Sequence, residues 1–144
     1  MNVFHTSNSI IEQFDVAKIG SCGGVQVGEG IYFSHSLSQC EVWSARLGTV
    51  NFCEVEIDAK LIDAESFYGN SPEFITWLDA SGYRDEEGYL KSSVLADFAA
   101  DEDAISVLKS RFYKETTDFD GIDDKVADNI VIWNASSIKE IMQL

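Results

Sequence analysis

Over residues 50–57, Val50-Asn51-Phe52-Cys53-Glu54-Val55-Glu56-Ile57, apolar and polar positions alternate with period two. That pattern predicts a half-buried strand with Glu54 and Glu56 turned outward. Ahead of it, residues 36–47 repeat with helical spacing, setting Leu37, Cys40, Trp43 and Leu47 on one face before Gly48 stops the helix. Asn2-Val3-Phe4-His5 reads as a short extended segment. Residues 20–30 hold five glycines and read as a loop closing into the apolar strand Gly30-Ile31-Tyr32-Phe33-Ser34. The middle third is helical. Ser71-Pro72-Glu73 places a capping serine before a first-turn proline, leading into Phe74, Ile75, Trp77 and Leu78. Residues 91–99 and 101–113 give two more amphipathic helices. Phe119-Asp120-Gly121-Ile122 predicts a short strand, Ile130-Val131-Ile132-Trp133 a continuous apolar one, and residues 136–139 close the chain. Strands at both ends with helices between them predict an α+β fold whose terminal strands come together. No repeat, low-complexity tract or proline-rich linker divides the chain, so residues 1–144 are expected to form a single domain.

Composition narrows the chemistry. With 144 residues and 45% hydrophobic positions the chain is long enough to bury a core, and 12% aromatics argue against disorder. Ten basic against 25 acidic residues leave a net charge of -15. Such a surface repels nucleic acid and anionic membranes and steers a basic protein partner towards itself. Three cysteines (Cys22, Cys40 and Cys53) form no CxxC pair, so neither a disulfide framework nor a metal site is expected, and the thiols read as buried and reduced. No apolar run reaches the ~20 residues that span a bilayer, and MNVFHTSNS lacks the basic start and apolar stretch of a signal peptide. A cytoplasmic protein is expected.

By itself His5 reads as a hydrogen-bonded structural histidine near a strand end, and His35 as a solvent-facing residue at a helix start. The glycine loop matches neither GxxxxGK[ST] nor a strand–GxGxxG–helix order. Taken together, His5-Thr6-Ser7, then Gly28-Glu29-Gly30-Ile31-Tyr32-Phe33-Ser34, then Trp43 eleven residues after Tyr32, resemble the NAD-binding core of ADP-ribosyltransferases. Poly(ADP-ribose)-polymerase-like and diphtheria-toxin-like domains of that superfamily carry H-G-[ST] and G-x-G-I-Y-F-[AS], with a second aromatic on the following helix. Asp120-Gly121-Ile122 and the segment from Asn129 to Lys139 resemble the family's final strand, and small phage and bacterial members, an anti-CRISPR one among them, share the opening F-H-T-S. The resemblance covers residues 2–57 and 118–140 and leaves the helical middle without a counterpart.

The resemblance implies a split β-sandwich of two antiparallel sheets with flanking helices, opening into a cleft for NAD. His5 would bond the adenosine-side ribose hydroxyls, and the backbone at Thr6, beside Ser7, would grip the nicotinamide carboxamide. Gly30, Tyr32, Phe33 and Ser34 would line the cleft. Tyr32 and Trp43 would sandwich the nicotinamide ring at about 1 kcal/mol per face, with Cys40 standing where members place a carboxamide-binding serine. A carboxylate on the last strand would stabilise the oxocarbenium-like transition state.

Here the chain departs from the pattern. The family's catalytic glutamate aligns with Asn129, which carries no charge; Asp128 lies one residue earlier, and Asp123 and Asp124 in the preceding loop. A one-residue shift on a regular strand turns a side chain to the opposite face, although a bulge at the strand's first residue would turn Asp128 inward. Three readings follow. Asp128 is the catalytic carboxylate, Asp123 or Asp124 supplies it, or the domain binds NAD without turning it over. As plain solvated turn residues all three aspartates would also suit an acidic protein. The activity implied is mono-ADP-ribosyl transfer from NAD, as co-substrate and without metal, to a side chain of a target protein with a basic, nucleic-acid-binding surface. That is the action of a phage or mobile-element effector on a host defence protein. The competing readings are an acidic DNA mimic that inhibits by binding alone and a glycohydrolase that destroys NAD.

Overall fold

The computed structural model of the protein describes residues 1–14, 30–97 and 101–144, for 101–103 the backbone only. Cys22, Gly28, Glu29 and most of the glycine loop lie outside the described residues. The order is β1 (Asn2–Ser7), β2 (Ile31–Phe33), α1 (Leu37–Leu47), β3 (Asn51–Ile57), β4 (Leu61–Asp63), α2 (Ala64–Tyr68), α3 (Pro72–Ala80), α4 (Ser92–Leu95), α5 (Asp101–Thr116), β5 (Gly121–Asp124), β6 (Asn129–Ile132), a 3-10 turn (Ala135–Ser137) and β7 (Ile138–Gln143). The fold is α+β, with two sheets and several helices.

One sheet has the order β1-β3-β7 and is antiparallel throughout; Val55 pairs with Val3 on one side and Ile141 on the other. The terminal strands therefore share a sheet but flank β3 rather than meeting each other. The second sheet runs β2-β6-β5-β4, and its edge strand β4 is parallel to β5. This corrects the expectation of two antiparallel sheets. A parallel neighbour needs a long crossover, and residues 64–120 supply it as the helical third of the chain. The strand Leu61-Ile62-Asp63 is too short to show a period of two, which is why the sequence does not announce it.

Local signals explain most of the other elements. Ser36 caps α1, accepting from the Gln39 N–H at 3.3 Å, and Gly48 ends it with φ 72°. Only a residue without a Cβ adopts that left-handed turn without strain. The buried face of α1 is narrower than its spacing predicts. Cys40 is buried and Trp43 half-buried, whereas Leu37 and Leu47 are exposed at the two ends. Ser71 caps α3 by accepting from the Phe74 N–H, with Pro72 in the first turn. The helix expected over 91–99 is shorter, with α4 ending at Leu95, while α5 continues past Tyr113 to Thr116. No helix among the described residues is long and apolar enough to cross a membrane.

Three apolar clusters hold these layers. Between the sheets, Val3, Cys53, Val55 and Ile57 meet Ile31, Phe33, Ile130 and Ile132. On the other face of the second sheet, Ile62, Ile122, Val131 and Trp133 pack with Phe67 of α2. Phe74, Leu78, Leu108 and Phe112 join α3 to α5. Buried Lys109 on α5 donates to the Tyr68 carbonyl at 2.7 Å, so a cation meets the C-terminal end of α2.

The second sheet leaves no room at two glycines. A Cβ at Gly121 would run into the backbone carbonyl of Val131, and one at Gly30 into the Val131 side chain. Backbone cannot step aside as a rotamer can. Gly121→Ala should therefore lower the unfolding free energy by about 3 kcal/mol, read as a lower urea midpoint at unchanged slope.

Candidate functional site

The two sheets are stitched together where β1 passes the end of β2. The Phe4 N–H donates to the Ser34 carbonyl, and the Ser34 N–H to the Phe4 carbonyl, both at 2.8 Å. Strand parity then sets the faces. His5 lies on the same face of β1 as Val3 and points between the sheets, where its ring meets Phe14 edge-on at 5.0 Å and Phe33 at 5.6 Å. His5 Nδ1 lies 2.7 Å from the Tyr32 carbonyl oxygen. A carbonyl can only accept, so Nδ1 carries the proton and Nε2 keeps its lone pair. No fully buried side-chain nitrogen or oxygen among the described residues lacks a partner, so Nε2, for which no bond is found there, is not wholly sealed from solvent. Thr6 is buried against Thr49, hydroxyl to hydroxyl at 2.6 Å, and Ser7 donates to the Ser9 carbonyl.

The end of the second motif segment closes on one carboxylate of the third. Asp128, in the β5–β6 turn, accepts from Ser34 Oγ, the His35 N–H and Ser36 Oγ, each at 2.9 Å. Its φ of 54° is the left-handed region, which aspartate tolerates better than most residues. That twist, in place of the bulge considered from sequence, aims the side chain across the sheet end. The carboxylate so placed is a clamp on the β2–α1 junction rather than a free anion. Asn129 opens β6, half-buried and paired in the ladder with Asp124. Asp124 is buried on the helix-covered side, where it accepts from the Ala127 N–H at 3.1 Å and the Tyr68 hydroxyl at 3.4 Å. Burial, and then that neighbouring carboxylate, raise the Tyr68 pKa.

His35 departs from its expected place in solvent. Its Nε2 lies 2.7 Å from Asp123 Oδ1, the two side chains 31% and 14% exposed. The sequence gives little hint of this, because the partners stand 88 residues apart. Asp123 Oδ2 forms no bond among the described residues and, like the second nitrogen of His35, is not buried.

Other predicted residues do not join this cluster. Tyr32 alternates with Ile31 and Phe33 and so packs on the opposite face of the sheet, against the Ile62, Phe67 and Trp133 cluster. Trp43 sits half-buried on α1, which packs against β1, and no ring contact links it to Tyr32 among the described residues. Cys40 is fully buried; burial first, then the nearness of Cys53 and Asp128, push its thiol up to about 12. Burial pushes the Cys53 thiol up to about 11, and both cysteines are free. As neutral thiols they pack rather than react. Gly30 acts through its close approach to Val131. Asp120, the first residue of the Asp-Gly-Ile motif, is a tie, accepting from the Lys60 N–H and Asn134 Nδ2 at 2.9 Å. No group of three His, Cys, Asp or Glu among the described residues could hold a metal ion.

Two consequences can be measured. Asp128→Ala strips three donors of their acceptor, including the buried Ser34 hydroxyl, and should cost about 2–3 kcal/mol of stability in urea unfolding. Asp128→Asn, which keeps one acceptor oxygen, should cost less. Burial lowers the His5 pKa below its ordinary 6.5, outweighing the upward pull of the bond to Tyr32. Folded protein thus prefers the neutral ring, and the unfolded chain takes up the proton first as pH falls. The stability from His5 is whole above pH 6.5 and is lost as pH falls through its lowered folded value. His5→Gln should flatten that part of the stability–pH curve.

Compared with known proteins, the chain matches no family model, no curated protein and no solved structure.

Proposed function

We propose that the domain is an NAD-dependent mono-ADP-ribosyltransferase with an ADP-ribosyltransferase-like split β-sandwich. The observation that carries this reading is the meeting of three motif segments far apart in the chain. His5-Thr6-Ser7 lies beside Ser34 through the Phe4–Ser34 bridge, and Ser34 is held by Asp128. In this reading the unprotonated Nε2 of His5 accepts from a ribose hydroxyl, and Trp43 supplies the stacking face that Tyr32, turned to the helices, does not.

Among the three aspartates Asp123 fits the catalytic carboxylate best. Asp128 has both oxygens engaged and Asp124 is buried against Tyr68, whereas Asp123 keeps Oδ2 open. A fixed negative charge beside the ribose stabilises positive charge as the bond to nicotinamide breaks. The target is a protein with a basic surface, matched to the net charge of -15.

Inhibition by binding alone, as an acidic mimic of DNA, draws on a separate feature. On the outer face of the first sheet Glu56 and Glu140 are directly paired and both exposed, with Glu54 in the next row. Like charges opposite one another are destabilising unless a partner neutralises them.

Calorimetry separates the two readings. NAD should bind one to one, and His5→Ala and Trp43→Ala should each weaken binding by about tenfold. Asp123→Asn should slow nicotinamide release by ~100-fold with NAD affinity nearly unchanged. Wild-type protein that takes up no NAD would remove the enzyme reading and leave the acidic inhibitor.

A further inference from the structure

Beyond the carboxylate, the site holds a histidine that the reading above does not use. His35 is fixed on two sides. Its backbone N–H donates to Asp128 Oδ1 at 2.9 Å, and its ring meets Asp123 Oδ1 at 2.7 Å. A carboxylate oxygen draws the ring proton to Nε2, which leaves Nδ1 with its lone pair. That nitrogen has no bond among the described residues and is not buried. An imidazole oriented by a carboxylate, with the opposite nitrogen unprotonated and open to solvent, is the arrangement of a general base.

We propose that His35 is the base that deprotonates the acceptor, and that the acceptor is a neutral proton-bearing group (a hydroxyl, thiol or amide) rather than a carboxylate. This rests on the ADP-ribosyltransferase reading. The acceptor X–H gives its proton to Nδ1 as X bonds to the ribose C1′. The bond from C1′ to nicotinamide breaks, and its electron pair leaves with nicotinamide, neutralising the pyridinium ring. Asp123 holds the imidazolium until the proton passes to water. A carboxylate acceptor needs no base, having already lost its proton. It would also meet Asp123 and Asp128 at the mouth of the site, and like charges repel.

The test uses the full chain with labelled NAD and cell lysate as the source of acceptor protein. His35→Ala should lose ~100-fold in transfer while NAD affinity stays within about twofold, and added imidazole should restore ~10-fold of the rate. A purely structural histidine would not be rescued in this way. The label should survive neutral hydroxylamine, which cleaves esters of carboxylates. Full transfer by His35→Ala, absence of imidazole rescue, or release of the label by hydroxylamine would each overturn the proposal. Nitrogen NMR of the ring keeps the dyad testable apart from NAD. Should wild type bind no NAD, the enzyme reading and the base role fall together. The ring protonated on Nε2 would still uphold the His35–Asp123 geometry, and a ring protonated on Nδ1 would refute it.

Discussion

The carboxylate of Asp128 is the fastener on which the rest of this site depends. Three donors from consecutive residues, Ser34, His35 and Ser36, close on its two oxygens. Strand β2 is only three residues long and, among the described residues, its ladder partner is β6 alone, so that ladder does little to fix where the strand ends and α1 begins. The clamp settles that point from the adjoining β5–β6 turn. It also sets negative charge at the N-terminus of α1, through the Ser36 hydroxyl that caps the helix, where the helix dipole favours it. A single turn residue thus fixes a strand end, a helix start and the backbone of His35.

The same region shows how an acidic chain concentrates carboxylates without cations. Asp123, Asp124 and Asp128 fall within six residues, yet no lysine or arginine bridges them among the described residues. Each is served instead by neutral or titratable donors: the His35 ring, the Tyr68 hydroxyl with the Ala127 N–H, and the Ser34–Ser36 trio. Buried Lys109 follows the opposite course, meeting a backbone carbonyl rather than an acid. At this sheet end the carboxylates are therefore met by hydrogen bonds rather than by cations.

Elements with a long period or a clear cap were legible in the sequence. Strand β3 alternates from Cys53 to Ile57, α1 lies between Ser36 and Gly48, and α3 begins at Ser71-Pro72. Strand β4, helix α2 and the separate strand β7 carry no such signal. The first two have three and five residues, too few for periodicity to act on. In β7, Ile138 and Ile141 fall out of alternation because the ladder shifts between Glu56 and Ile57. The site was legible in part. The segments of His5 and Ser34 meet at the Phe4–Ser34 bridge, whereas the faces of Tyr32 and Trp43 depend on sheet parity and helix packing that spacing does not carry. The direction of Asp128 depends on a left-handed backbone, which no side-chain pattern encodes.

Topology explains why His35 and Asp123 meet at all. Strands β2 and β5 are both antiparallel to β6, so they run parallel to each other with β6 between them. Their C-terminal ends consequently lie at the same edge of the sheet. Phe33, Ile130 and Asp123 form one row across the three strands, which sets Asp123 two strand spacings, about 9.6 Å, from Phe33. His35 lies two residues beyond Phe33, and an imidazole reaching diagonally from there spans the remaining gap. The turn bearing Asp128 returns β5 to β6 at this same edge, so the clamp and the dyad share one origin. In a sheet with β2 reversed, His35 would stand at the opposite end from both aspartates. The pairing of His35 with Asp123 at this edge follows from strand direction first and from side-chain identity second.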